Sequence, residues 1–251
     1  MTVLGGPLPL AASAASGRRT LPCVARARRK REPVFVTVDL VVLTVLGGRL
    51  SALLVERVND PFQGWPALPG GYVRGRETLE ETARRELAEE TGLTGVLLEQ
   101  VGVHSDPDRD PSGRVITCAF LAIVPRPPLP VAGSDASAVG WVPVDEVGEL
   151  AFDHAVLLRD AVERARDRLQ FTGIATAFCA DEFTVADLRE VYEAVWGVRL
   201  DKPNFHRKVT EVPGFLVPTG EKRATGAGRP AALYRAGRVD DLLPPMMRPR
   251  T

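Results

Sequence analysis

Hydrophobic residues in the first part of the chain form short runs rich in β-branched side chains. The run from Val34 to Leu46 is followed by Gly47-Gly48 and then by a second run from Leu50 to Val55. β-Branched residues favour strands, and two glycines accommodate the backbone of a tight turn. We therefore expect a β-hairpin here, and further strands at Val115 to Val124 and Val139 to Val142.

Two other segments have the apolar spacing of helices. The residues from Leu79 to Thr91 follow a helical pattern, with Thr78 and Glu81 at capping-box spacing and Gly92 just past the end. A second helix is predicted from about His154 to Leu169. Strands interleaved with two helices indicate an α/β sandwich.

The pattern changes after Leu169. Phe183 to Trp196 is amphipathic, Val198 to Asp201 is a predicted turn, Pro203 to Val212 is a second short helix, and Phe215 to Arg235 is a predicted hairpin around a Gly-rich loop. Two short helices followed by a hairpin are typical of a winged helix-turn-helix.

These elements predict an α+β protein with two domains and two tails. The first residues are small, then basic, which is typical of a disordered tail, and the last residues, LPPMMRPRT, contain no periodic pattern. The predicted divisions are a disordered tail at 1–32, a first domain at 33–170, a winged-helix domain at 171–238 and a flexible tail at 239–251.

Charge and cysteine content narrow the class of protein. Thirty-two basic residues balance thirty-two acidic ones, so any nucleic-acid-binding surface must be local. Cys23, Cys118 and Cys179 are widely spaced and odd in number, which favours a reducing cytoplasm over a disulfide framework. No apolar run approaches the roughly 18 residues that span a bilayer. We expect a cytoplasmic protein with no membrane partner.

An acidic signature lies on the first predicted helix. On a helix, Glu86 and Glu90 stand one turn apart with Glu89 beside them, so three carboxylates share an arc of about 100°. They repel one another, and hard divalent cations with oxygen ligands relieve that repulsion. The pattern predicts a Mg²⁺ or Mn²⁺ site. The alternative is a solvated acidic helix face, which is the usual fate of a run of charges.

The spacing of these residues resembles the Nudix box. Its constrained positions are all occupied, by Gly71, Glu77, Arg85, Glu86, Leu87, Glu89, Glu90, Gly92 and Leu93. The resemblance to Nudix hydrolases implies a Nudix α/β/α sandwich and metal-dependent attack of water on a diphosphate. It implies metal ligands at Glu86, Glu89 and Glu90, and a catalytic role for these three and for Arg85, which is expected to orient a neighbouring glutamate. The general base is Glu89 or Asp135.

The residues around the box resemble the branch of Nudix proteins that acts on ADP-ribose. The segment DPFQGWPALPGGYV, with a predicted loop from Gly64 to Gly71, precedes the box, and Pro107 follows it inside DPDRDPSGR. The resemblance implies ADP-ribose or a related nucleotide diphosphate as ligand. The predicted ligand-binding residues are Gly70, Gly71, Arg74, Glu77 and Arg109.

The sequence departs from this branch at two places. Pro66 occupies a position where relatives often have Trp, with Trp65 one residue earlier, and Gly75-Arg76 replaces the usual order before the box glutamate. Both departures lie near the start of the metal helix, so they bear on turnover more than on fold. His104 and His154 have no ligand-like partners in the sequence, and we expect both to be structural.

The C-terminal part carries a basic surface. From Lys202 to Arg235 there are seven basic residues against two acidic ones. Phe205, Val209 and Val212 share one helical face, which leaves Asn204 and Arg207 outward. In a helix-turn-helix the second helix enters the major groove. The predicted contacts to double-stranded DNA are Lys202, Asn204, Arg207, Lys208, Lys222, Arg223 and Arg229.

The phrases VYEAVWG, NFHRKV, LVPTGEKR and GRPAALYR resemble the winged helix of the Nudix-related transcriptional regulators of NAD metabolism. That resemblance implies a homodimer in which an ADP-ribose-binding Nudix domain controls binding to DNA. The competing hypothesis is an ADP-ribose pyrophosphatase whose C-terminal domain serves assembly only. A neutral protein with a basic winged helix favours the regulator, whereas a complete box favours hydrolysis, and both activities can coexist.

Overall fold

The computed structural model describes residues 32–125, 136–224 and 229–249. Its strands are Phe35–Leu46 (β1), Arg49–Arg57 (β2), Pro66–Ala67 (β3), Gly70–Tyr72 (β4), Leu97–His104 (β5), Val115–Ile123 (β6), Ala136–Pro143 (β7), Leu216–Arg223 (β8) and Ala231–Ala236 (β9). Its α-helices are Leu79–Thr91 (α1), His154–Phe171 (α2), Val185–Trp196 (α3) and Lys202–Glu211 (α4). Short 3-10 helices span Val144–Glu146 and Gly173–Phe178.

Strand β1 is the centre of a mixed sheet. It pairs antiparallel with β2, parallel with β6 and antiparallel with the short β4, while β5 extends the sheet beyond β6 and β7 pairs with β2. The predicted hairpin is confirmed, because Leu46 pairs with Arg49 across a two-residue turn. Gly47 and Gly48 have φ of 56° and 74°, a left-handed conformation that glycine adopts without strain.

Helices cover both faces of this sheet. Val38 and Leu40, two residues apart on β1, belong together with Leu87 of α1 to the core on one face of the sheet. Val41 lies in the core on the other face, with Leu157 of α2. This alternation follows the two-residue period of a strand, and it confirms the α/β/α sandwich.

The ends of α1 also agree with the sequence. The Thr78 side chain accepts from the Glu81 N–H, the Glu81 carboxylate accepts from the Thr78 N–H, and Gly92 ends the helix with φ of 72°. Each contact satisfies a backbone group that the helix leaves unpaired. The box helix is therefore fixed at both ends by local interactions.

The structure differs from the sequence prediction in two places in the sheet. The expected loop from Gly64 to Gly71 contains β3 and the start of β4, and β5 was not expected. The short strands β3 and β4 pair with β2 and β1, respectively. Strand β5 has no clean alternation of buried and exposed residues. A periodicity argument cannot detect such strands.

In the C-terminal part, α3, α4, β8 and β9 follow one another in the predicted winged-helix order. The prediction of a flexible tail at 239–251 is corrected for residues 239–249, because Leu242 and Met246 are buried in the core. Their N–H groups donate to the carbonyls of Phe171 and Gln170 at 2.7 and 2.8 Å. The groove that these side chains fill is formed by distant residues, which explains why the sequence pattern missed it.

One core runs from α2 into the winged helix. Leu157 and Leu169 belong to the same buried cluster as Leu188, Tyr192 and Phe205.

Residues 1–31 of the predicted N-terminal tail lie outside the described part of the chain. Among the helices that the structure describes, none is long and apolar enough to cross a bilayer.

Candidate functional site

Glycine at position 71 lets the box helix approach the sheet. A Cβ added to Gly71 would lie 2.2 Å from Oε1 of Glu86, and one added to Gly70 would lie 2.3 Å from the carbonyl of Val38. Real side-chain carbons do not come so close to such atoms. The two glycines therefore bring β4 against β1 and α1, and they bring the Glu86 carboxylate to the sheet.

Arg85 organises the acidic residues of the box. Its Nε and Nη2 donate to the two oxygens of Glu77 at 2.7 and 2.9 Å. Its Nη1 donates to Glu86 at 2.6 Å and to Glu89 at 3.2 Å. One guanidinium thus holds three carboxylates, which is the arrangement expected if Arg85 orients a neighbouring glutamate.

The hydrogen bonds from Arg85 change the pKa of Glu77, so the pH dependence of stability tests this arrangement. The guanidinium hydrogen bonds lower the pKa of Glu77 from 4.5 to about 2. A carboxylate with a lowered pKa stabilises the fold above its unfolded pKa, and that stabilisation is lost as the pH falls through its folded pKa. The stabilisation by Glu77 is therefore lost as the pH falls from 4.5 to about 2.

We expect Glu77→Gln to lower the free energy of unfolding at neutral pH. The difference between variant and wild type should shrink as the pH falls below 4.5, because the wild-type carboxylate is then increasingly protonated in the unfolded chain. Urea denaturation at a series of pH values measures it. Glu80→Gln removes an exposed carboxylate of the same helix, which pairs with the exposed Arg84 at 2.6 Å, and should have little effect. A Glu77→Gln deficit independent of pH would contradict the assignment.

A cavity of about 370 Å³ opens between β1, β4, α1 and the loops at 57–61 and 109–112. Glu86 and Glu90 line it, and the Gly70 N–H donates to Glu90 at 3.1 Å. Arg74 and Arg109 line it as well. Arg57, Asp39, Asp60 and Asp110 also line this space, so carboxylates and guanidinium groups face each other across it.

The three predicted metal ligands are not equivalent. The side chain of Glu86 is 6% exposed, whereas that of Glu89 is 45% exposed and does not line the cavity. Glu89 instead contacts Arg74 at 3.4 Å and Arg85. Within the described ranges, the structure forms no cluster of three or more His, Cys, Asp or Glu side chains that is arranged to hold a metal ion.

The donor set nevertheless fits a hard divalent cation. Glu86 and Glu90 supply carboxylate oxygens, which Mg²⁺ and Mn²⁺ prefer. Gly71 leaves room for the Glu86 carboxylate where any side chain would collide with it. Mg²⁺ is usually bound through one or two carboxylates together with water and substrate phosphates. Two carboxylates in the cavity therefore suffice for that mode of binding.

A buried polar network forms another wall of the cavity. Arg109 donates two hydrogen bonds to Asp153, at 3.0 and 2.6 Å, and lies 3.4 Å from Asp39. His154 accepts from the Leu68 N–H through Nδ1 at 2.9 Å, and its Nε2 is 3.5 Å from Asp39. Burial lowers the pKa of His154, so the ring is neutral at pH 7 with its proton on Nε2.

This network includes residues that the sequence argument did not assign to a site. Asp39 is the single charged residue in the apolar run of β1, and that signal was available. His154 has polar partners on both ring nitrogens, as expected of a structural histidine, yet it also lines the cavity. Asp153 joins the network through its hydrogen bonds with Arg109. Arg109 is itself 70 residues away from Asp39 in the sequence.

Aromatic side chains stand beside the network. Phe62 and Phe152 pack at 4.8 Å between ring centroids, and Arg57 lies over Phe152 at 4.6 Å. Both phenylalanines have positive φ, 66° and 54°, which costs a non-glycine residue about 1–3 kcal/mol. Because strain of this kind is maintained at binding sites, we count Phe152 as a candidate ligand contact. Asp135, one candidate general base, lies outside the described residues.

The helix α4 presents polar side chains on the surface of the winged helix. Phe205 and Val209 are buried, while Asn204 and Arg207 are exposed, which confirms the predicted faces. Arg207 donates to Glu211 at 3.0 Å and to Asn204 at 3.1 Å. These partners hold the guanidinium above the exposed face. Lys202 is also exposed and Lys208 is half-buried.

The basic side chains of the β8–β9 hairpin differ in their exposure and in their partners. Lys222 and Arg229 are exposed. Arg223, another predicted DNA contact, instead forms an ion pair with Asp187 and lies near Thr184 at the start of α3. Its observed role is to tie the hairpin to α3. A contact between Arg223 and DNA remains a prediction.

Comparison with known families agrees with both halves of this description. Residues 35–163 match the NUDIX domain, and residues 176–236 match the NrtR DNA-binding winged helix domain. A relative from Acinetobacter baylyi, named ADPR responsive transcriptional repressor NtrR, is 32% identical over 80% of this chain and 81% of its own length. The chain belongs to the NrtR family of Nudix-related regulators. Members of the Nudix family generally use divalent metal ions.

Solved structures extend the match to the arrangement of the elements. The crystal structure of Shewanella oneidensis NrtR complexed with a 27mer DNA superposes with a TM-score of 0.70 at 32% identity, covering 80% of this chain and 93% of that one. The NUDIX domain of the same protein, complexed with ADP ribose, matches with a TM-score of 0.51 at 34% identity, covering 54% and 90%. The Nudix and winged-helix domains are thus both found in this relative.

Proposed function

We propose that this chain is a transcriptional regulator whose Nudix cavity binds ADP-ribose or a related nucleotide diphosphate and whose winged helix binds double-stranded DNA as a homodimer. The observation that carries the proposal is the joining, in one compact unit, of a cavity lined by Arg74 and Arg109 and an exposed Asn204–Arg207 surface. The names of the repressor relative and of the two NrtR complexes point the same way.

The cavity has the groups that a nucleotide diphosphate needs. Arg74 and Arg109 provide positive charge for phosphate oxygens, and guanidinium groups bind such oxygens through charge-assisted hydrogen bonds. We propose Mg²⁺ or Mn²⁺ as the cofactor, held by Glu86 and Glu90, with Glu89 as a further ligand. When bound, such an ion neutralises diphosphate oxygens and activates water. Arg85 positions Glu86, and Glu77 positions Arg85.

Hydrolysis of ADP-ribose is a second candidate function, and the two functions are compatible. It is favoured by the complete box and by the placement of Glu86 and Glu90 in the cavity. The proposed general bases are Glu89 and Asp135. Sensing requires affinity alone, so regulation does not depend on turnover.

We expect Arg74→Ala to weaken ADP-ribose binding about tenfold, since a charge-assisted hydrogen bond contributes about 1.5–3 kcal/mol and 1.4 kcal/mol is tenfold in Kd. Isothermal titration calorimetry without divalent metal measures the affinity. Arg76→Ala is the matched control, because Arg76 is exposed in the same loop and does not line the cavity. Equal losses in both variants would place the diphosphate elsewhere.

The regulatory part of the proposal is tested by gel-shift titration of the DNA upstream of the gene that encodes this protein, with and without ADP-ribose. A dimer presents two recognition helices to half-sites about 34 Å apart, which is one turn of DNA. We expect a salt-sensitive shift of a palindromic site that ADP-ribose weakens. If no sequence-selective shift occurs in either condition, the C-terminal domain serves assembly and the hydrolase hypothesis alone remains.

A further inference from the structure

Helix α2 begins in the wall of the cavity. Asp153, the residue before its first turn, accepts two hydrogen bonds from Arg109, and His154, its first residue, accepts from the Leu68 N–H. Phe152, with its left-handed backbone, directly precedes them. A ligand that contacts Arg109, Phe152 or His154 therefore also acts on the first turn of α2.

The other end of α2 is bonded to the winged helix. Tyr192 of α3 donates its hydroxyl to the carbonyl of Leu169 at 3.1 Å, and Trp196 donates Nε1 to the carbonyl of Arg166 at 3.1 Å. In the opposite direction, Arg166 donates Nε to the carbonyl of Val195 at 2.9 Å. Tyr192 and Trp196 are also fully buried. These contacts join the two helices through specific hydrogen bonds as well as apolar packing.

The contact continues from α3 to the helix that carries Arg207. The Tyr192 ring packs edge-on against Phe205 of α4, with 5.3 Å between centroids, and against Trp196 at 4.8 Å. Phe205 and Val209 hold α4 in the core. The position of Tyr192 therefore influences how α4 is oriented.

The C-terminal segment also contacts the α2–α3 joint, by which we mean the hydrogen bonds between α2 and α3 given above. The Met246 N–H donates to the carbonyl of Gln170 at 2.8 Å, and Arg248 donates Nη2 to the carbonyl of Trp196 at 3.3 Å. Arg166, Leu169 and Gln170 lie between the two matched regions, 35–163 and 176–236, and residues 239–249 lie beyond both. The α2 half of the joint thus lies outside both matched regions, whereas Tyr192 and Trp196 of α3 lie within the second.

We propose that α2 transmits the state of the cavity to α4, with Asp153 as the receiving residue and the Arg166–Tyr192 joint as the point of transfer. This inference rests on the proposed function, because it explains how ADP-ribose would alter DNA affinity. A well-packed helix shifts as a unit rather than deforming. Displacement of Asp153 would therefore move Leu169 against Tyr192, and Phe205 with it.

The test is the coupling factor, defined as the DNA affinity without ADP-ribose divided by that with it. We expect at least about tenfold in the wild type, within the usual range of coupling between sites. In the double variant Arg166→Gln with Tyr192→Phe, the factor should fall below about threefold, while the affinity for each ligand alone changes less. The matched control is Arg159→Gln, which removes the same charge from an exposed position on α2 where the arginine pairs with its neighbour Asp160.

The possible results separate the inference from the proposed function. Wild-type coupling in the double variant would overturn the inference and leave the regulator standing, with the dimer interface as the route. Loss of coupling in Arg159→Gln as well would also overturn it. A wild type that binds both ligands without coupling would overturn both the inference and the regulatory mechanism.

Amide hydrogen exchange tests the joint without ADP-ribose, so the inference remains open to refutation if the chain binds another ligand. Asp153→Asn should speed exchange in 185–196 at least about threefold relative to the β5–β6 hairpin, because loss of the Arg109 contact frees the start of α2. Asp160→Asn, on the exposed side of the same helix, should not. Unchanged exchange in 185–196 in Asp153→Asn would overturn the inference.

Discussion

Glu90→Gln is expected to reduce metal-dependent hydrolysis of ADP-ribose at least about a hundredfold, if the protein hydrolyses it as proposed. Glu90 lines the cavity and accepts from the Gly70 N–H. The amide keeps the shape of the side chain but removes the negative charge that would hold a divalent cation. Release of AMP in Mg²⁺ or Mn²⁺, followed by chromatography, measures the rate.

Two further variants make this result specific. Glu80→Gln changes an exposed carboxylate of the same helix, away from the cavity, and should leave the rate within about twofold of wild type. Glu89→Gln asks whether Glu89 takes part although it lies outside the cavity. Full turnover in Glu90→Gln would remove Glu90 from the metal site. No turnover in the wild type would mean that the box serves binding alone.

Arg207→Ala is expected to weaken binding to the preferred DNA site by about 1–3 kcal/mol and to relax selectivity at one base pair. The reason is the placement of Arg207 on the exposed face of α4, where Asn204 and Glu211 hold its guanidinium. A side chain that is already ordered loses less conformational entropy when it binds a base edge.

Lys222→Ala provides the comparison. Lys222 is exposed on the β8–β9 hairpin, where it suits contact with phosphate, so its loss should weaken all sequences alike and flatten the salt slope by about one. Fluorescence anisotropy with specific and scrambled duplexes at several salt concentrations distinguishes the two effects. Equal losses on both duplexes in Arg207→Ala would show that Arg207 contacts the backbone instead of a base.

The elements and the chemistry of the box could be predicted because they depend on residues close together in the chain. The capping box of Thr78 and Glu81, the turn at Gly47-Gly48 and the buried face of Phe205 and Val209 are local patterns. The resemblance to the Nudix box also supplied the expectation that Arg85 orients a neighbouring glutamate. The two family resemblances then supplied the ligand and DNA hypotheses.

Spacing could not show which carboxylates face the cavity. Glu89 and Glu90 are adjacent in sequence, yet only Glu90 lines the cavity, because the direction of each side chain depends on where β4 and Arg74 lie. Arg223 has the composition of a DNA contact, but Asp187, distant in sequence, engages it. A helical pattern defines a face, and its neighbours in space decide what that face contacts.

The sequence by itself therefore determined the secondary structure of the box and of the winged helix, their order, and the residue types available for metal, diphosphate and DNA. Only the tertiary structure brought Asp39, Arg109 and Asp153 together, and only it buried Leu242 and Met246 against the end of α2. The physical reason is range. Capping, turns and periodicity act within a few residues, whereas ion pairs and core packing form between residues that meet only when the chain folds.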